Sequence, residues 1–95
     1  VKALPPDRGM LFPNPIAQHV AFWMRNTYIP LDMLFIAPDG RIANIVEDAE
    51  PLSERLLASA EPVIAVLELA GGSAGRLGLR AGDRVRLPPA GAGGR

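Results

Sequence analysis

The chain has 95 residues, ten basic and ten acidic side chains that cancel, 48% apolar residues and no cysteine. That length allows one domain with a thin core, and the apolar content excludes an intrinsically disordered chain. The balanced charge forms no basic stripe for a nucleic-acid backbone, the missing thiols exclude disulfides and cysteine-bound zinc, and no run reaches the ~18 apolar residues of a membrane span.

The N-terminus reads Val1-Lys2-Ala3-Leu4-Pro5, without an initiating Met or a signal-like apolar segment, as expected of a mature or trimmed product. Pro5-Pro6-Asp7-Arg8-Gly9 predicts a turn, and Met10-Leu11-Phe12 a short edge strand. Pro13-Asn14-Pro15 should stop a regular ladder, because proline has no backbone donor. From His19 to Asn26 the spacing predicts a strand. Val20, Phe22 and Met24 share its core face, with His19, Ala21, Trp23 and Arg25 opposite.

A connection through Asn26 and Pro30 leads into Leu31 to Ala37, apolar on both faces apart from Asp32, as a central strand must be. Pro38-Asp39-Gly40 supplies the strongest local signal, a hairpin turn. Arg41 to Asp48 is its returning strand, with Ile42, Asn44 and Val46 alternating against Ala43, Ile45 and Glu47 until Pro51 ends the ladder. Leu52 to Ala60 reads as a loop with one helical turn, in which Leu52, Leu56 and Ala60 share a face.

Val63 to Leu69 is rich in β-branched residues and predicts another strand. Ser73 is placed to cap a brief helix stopped by Gly78, and Ala81-Gly82-Asp83 to reverse the chain into a last strand, Arg84 to Leu87. Residues 88–95 should form a frayed tail. The expected fold is mainly β: one small compact antiparallel barrel or sandwich-like domain over residues 1–87.

Candidate functional residues are few. Asp32 lies among Leu31, Met33 and Leu34, so its carboxylate needs hydrogen bonds, expected from the Asn26–Tyr28 connection. Trp23 offers an apolar plate with one donor, next to the polar Asn26, Thr27 and Tyr28. Glu68 interrupts an apolar strand face and is expected at the sheet rim, with Arg25 as one conceivable partner. His19 is the sole histidine and stands in no metal-ligand pattern. Neither a nucleophile elbow nor a phosphate-binding glycine loop is present.

Gly9-Met10-Leu11-Phe12, Phe22-Trp23-Met24-Arg25-Asn26-Thr27, Ile29-Pro30-Leu31-Asp32 and Asp39-Gly40 form a specific combination. With Val66-Leu67-Glu68-Leu69, Gly78-Leu79 and Gly82-Asp83, it resembles the domain of unknown function family 192 of bacteria and archaea over most of residues 7–87. The resemblance implies a compact, predominantly β fold, usually preceded by an upstream strand and a segment like Gly-Leu-Met. It implies an exported, periplasmic or extracellular setting, and no particular activity or catalytic residue.

The leading expectation is a non-catalytic binding or accessory domain. Trp23, Asn26, Thr27, Tyr28, Asp32 and Glu68 would line a shallow polar and aromatic rim that takes a small molecule or protein. No cofactor or metal is expected, and the chain should be a monomer or weak dimer. One rival is a small hydrolase or lyase using Asp32 with His19 or Glu68. Another is a structural interaction domain that presents an unpaired sheet edge.

Overall fold

In the computed structural model, which describes residues 8–86, the doubly apolar segment forms β3 (Leu31–Ile36), buried at every residue. Such a strand needs neighbours on both edges and cover on both faces. β4 (Ile42–Ala49) and β6 (Val63–Ala70) flank it, and β1 (Gly9–Gln18) completes an antiparallel sheet of order β1-β6-β3-β4. A two-stranded ribbon pairs β2 (Ala21–Phe22) with β5 (Leu57–Ala58). α1 spans Ser73–Leu77. β1 and β4 remain edges, so the domain is an open, sandwich-like β fold and not a closed barrel.

Alternation on β3 divides the core. Leu31, Met33 and Phe35 pack with Val66, and this face is covered by Val20, Phe22, Met24 and Leu57 from the ribbon side. Leu34 and Ile36 face the other way, with Ile42 and Ala65, beneath Leu79 and Val85. The ribbon is fastened over the sheet by polar contacts. The Asn44 side chain donates to Ala58 O (3.0 Å) and accepts from Ala60 N (2.9 Å), while Ser59 Oγ accepts from Val20 N (3.1 Å).

Several local expectations need correction. The strand expected from His19 to Asn26 is a ladder only at Ala21–Phe22, because its partner β5 is two residues long. Its inward and outward alternation nevertheless holds. Pro13-Asn14-Pro15 does not end β1. It costs the strand its register between Pro13 and Gln18, as donor-less prolines do on an edge. β4 departs from strict alternation through a register shift between Phe35 and Ile36, so Ile42 and Ile45 pack on one face and Ala43 and Val46 on the other.

Leu52 to Ala60 contains no helical turn; it turns at Pro51 and Leu52 and then extends into β5, leaving Leu52 and Leu56 exposed. The helix cap is Gly72 and not Ser73, and Gly78 ends α1 in the left-handed region as expected. The last strand reduces to a single bridge from Arg84 to Arg41. The expected turn at Pro5-Pro6-Asp7, the end of that strand at Leu87 and the tail at 88–95 lie outside the described residues.

The hairpin turn forms as the sequence requires. Gly40 takes φ 88°, and its N–H donates to Ala37 O at 2.9 Å. Asp39 accepts from Arg41 Nε (2.6 Å) and Arg41 N (3.1 Å). The Arg41 side-chain hydrogen bond, then the backbone one, hold the Asp39 carboxyl below its ordinary 3.8. A lowered carboxyl pKa stabilises the fold above the unfolded value and loses that effect as pH falls through the folded one. Carboxyl titration by NMR should therefore give Asp39 a midpoint below 3.8. In Arg41→Gln the midpoint should return toward that value, and an unchanged midpoint would contradict the assigned cause.

Candidate functional site

The outward side of the ribbon is built by alternation. Phe22 and Met24 point into the core, so Ala21, Trp23 and Arg25 point out. Backbone bonds fix the loop that follows. Met24 N–H donates to Ser53 O (2.9 Å), Thr27 N–H to Met24 O (3.1 Å), and Leu52 N–H to Thr27 O (3.0 Å). The stretch approaching β5 then places Leu56 beside Trp23. Ala21, Phe22, Trp23 and Leu56 line a shallow hollow of about 270 Å³.

Trp23 is 47% exposed and Leu56 67%, an open apolar pair on a small domain. The Arg25 guanidinium lies 5.2 Å from the Trp23 ring centroid, and its Nε is 3.5 Å from Glu54 Oε2. An exposed cation–π contact contributes about 0.5–1 kcal/mol and an exposed ion pair about 0–1 kcal/mol. Arg25 can therefore leave the ring face at small cost when another flat group takes its place.

The predicted rim residues separate. Trp23, Asn26, Thr27 and Tyr28 share one loop, with Asn26 and Tyr28 exposed and Thr27 half-buried. Asp32 is fully buried elsewhere. Its donors are not in the Asn26–Tyr28 connection: Oδ1 accepts from Asp48 N (2.8 Å) and Gly72 N (3.1 Å), and Oδ2 from Ala74 N (2.7 Å). The residue thus ties a bulge in β4 and the start of α1 to β3.

Glu68 does not stand at a solvated rim. It is 7% exposed and sits in register with Met10 and Met33. Since Asp32 pairs with Leu69 and Glu68 with Met33, the two carboxylates project from opposite faces of the sheet. Arg25 meets Glu54. His19 is exposed between β1 and β2. Among the described residues, no group of three or more His, Asp or Glu is placed to hold a metal ion, and no helix is long and apolar enough to cross a membrane.

Sequence reasoning missed Leu56 and Glu54. Their signal was present but read at the wrong period: the spacing of Leu52 and Leu56 fits a helix face, whereas the chain there is not helical.

The model of the domain of unknown function family 192, described as an uncharacterized ACR, matches residues 1–87. The chain belongs to this family. A crystal structure from Sinorhizobium meliloti, of a protein provisionally described as a transcription regulator, is 52% identical with a TM-score of 0.84. It is matched over 88% of this chain and 65% of its own. A Novosphingobium aromaticivorans protein of unknown function is 45% identical, with a TM-score of 0.87, over 90% of this chain and 61% of its own. The chain therefore spans less than two thirds of the length of either. No curated protein matches it. Family 192 membership fixes the domain type and assigns it no specific function.

Proposed function

We propose that this family 192 domain is a non-catalytic binding module whose recognition surface is the Trp23–Tyr28 ledge with Leu56. The observation that carries the reading is the half-exposed Trp23 beside an apolar hollow, its ring covered by a readily displaced Arg25. A small molecule or peptide with a flat apolar face would stack on the indole, while Asn26, Thr27 and Tyr28 supply polar contacts at the margin. Acid–base chemistry by Asp32 with Glu68 draws less support, because the two face opposite ways and both Asp32 oxygens already accept backbone bonds.

Trp23 is the sole tryptophan, so its emission reports on the site directly. In a titration with neutral sugars, short apolar peptides and planar aromatic metabolites, at least one class should quench or shift that emission saturably. Trp23→Ala, followed by calorimetry, should weaken the same ligand at least about tenfold. The variant should stay within about 1 kcal/mol of the parent in stability, since the ring is half in water. Emission unchanged by every class at millimolar concentration would remove the ledge as a binding site.

A further inference from the structure

β4 is the last strand of its sheet, and among the described residues its outer edge is covered only in part. Near its start, Ile42 N–H donates to Asp83 O and Gly82 N–H to Ile42 O, both at 2.8 Å. The Asn44 side chain then reaches the chain at Ala58 and Ala60. From Ile45 to Glu47, no described residue beyond β3 bonds to the backbone of the strand. An edge left open in this way is a template for an added strand.

A groove of about 700 Å³ runs beside this stretch, between β4 and the segment leading into β5. Ile45, Val46 and Leu57 give it apolar lining. Glu47, Asp48 and Glu50 set an acidic margin against one cation, Arg55. The five residues Ile45 to Ala49 extend roughly 17 Å at strand rise, room for a short added strand.

We propose that this groove binds an extended basic peptide segment by strand addition to β4. Main-chain bonds would form with the open edge from Ile45 to Glu47. Alternate aliphatic side chains would rest against Val46 and Leu57, and the intervening Lys or Arg side chains would meet the acidic margin. Charge decides for this occupant over a second copy of the chain. A second copy's β4 would bring another net-acidic segment, with Glu47, Asp48 and Glu50, to a groove that already carries those three acids against one arginine, whereas a basic strand complements it.

The groove stands independently of the Trp23 ledge. Ser53, Arg55 and Leu57 line the groove, while Glu54 and Leu56 turn to the tryptophan side, so one segment is a wall of both surfaces and lends each different side chains.

The test is an amide NMR titration of the full chain with a capped octapeptide of alternating lysine and valine. Shifts should be confined to residues 45–50 and 53–57, and hydrogen exchange of those amides among 45–47 that point away from β3 should slow at least about tenfold on saturation. A peptide of alternating glutamate and valine, and a lysine–valine peptide N-methylated at every second residue, should each bind at least tenfold more weakly. The paired substitution Glu47→Lys and Glu50→Lys, both at exposed positions, should reverse the preference between the lysine and glutamate peptides. Equal binding of the N-methylated peptide would reduce the interaction to charge adhesion and overturn the proposal. Shifts centred on Trp23, self-association through β4 that the peptide does not reverse, or no shifts at millimolar peptide would overturn it too.

Discussion

Asp32→Ala is expected to lower the unfolding free energy by about 3–4 kcal/mol, which places it among the most damaging single substitutions in this domain. Three backbone N–H groups, of Asp48, Gly72 and Ala74, end on this one carboxylate. Leaving a buried donor without an acceptor costs about 1–3 kcal/mol, and water that enters the vacated space offsets only part of three such losses. The damage should also be directional. Asp48 sits at φ 49°, where the ladder slips between Leu31 and Met33, and the carboxylate is what holds that bulge in place. Gly72 caps α1 with no side chain of its own, so Asp32, from β3, supplies the missing acceptor to the Ala74 N–H.

Asp32→Asn should cost less than alanine, because one amide oxygen still accepts, but the NH₂ group now faces a donor. Urea unfolding followed by far-UV circular dichroism measures both. Each 1 kcal/mol corresponds to roughly 4–8 °C in Tm for a domain of this size. A loss below about 1 kcal/mol for Asp32→Ala would mean that the three amides find other acceptors.

The same residue shows what the sequence held and what it did not. That Asp32 must be satisfied followed from its apolar neighbours. Its partners could not be read, because they lie 16, 40 and 42 positions along the chain and meet it only after three strands assemble. The hairpin at Pro38-Asp39-Gly40 was legible for the opposite reason, since every group that fixes it is within a few residues. β3 and β6 were also legible, as long apolar runs between turn signals. Glu68 misled because a charge in an apolar strand reads as a rim, whereas register with Met33 carries it inward. The shared wall at 53–57 stayed hidden: its course is set by the bonds that Ser53, Leu57 and Ser59 make to the loop and ribbon opposite.

Phe35→Ala is expected to cost about 3–5 kcal/mol, through lost transfer energy and the cavity left behind. The ring is fully buried in mid-β3, in register with Val66 and Asn44. Its centroid is 6.4 Å from that of Phe22 at an interplanar angle of 42°, and Phe22 is 6.1 Å from Phe12. This aromatic chain joins the centre of the main sheet to the ribbon that carries Trp23. Phe35→Leu keeps most of the volume and should cost clearly less, so the difference between the two variants isolates the cavity.

The ribbon should respond to the alanine variant before the sheet does. It has only a two-residue ladder of its own, and with the Phe22–Phe35 contact gone its cover over the core rests on Met24, Val20 and Leu57. Trp23 emission in Phe35→Ala should therefore shift at lower urea than the far-UV signal, while the parent shows coincident transitions. If the two signals stay coincident in the variant, the ledge and the sheet unfold as one unit. The rigidity of the Trp23 surface would then come from the backbone bonds of Met24 and Leu52 and not from the aromatic chain beneath it.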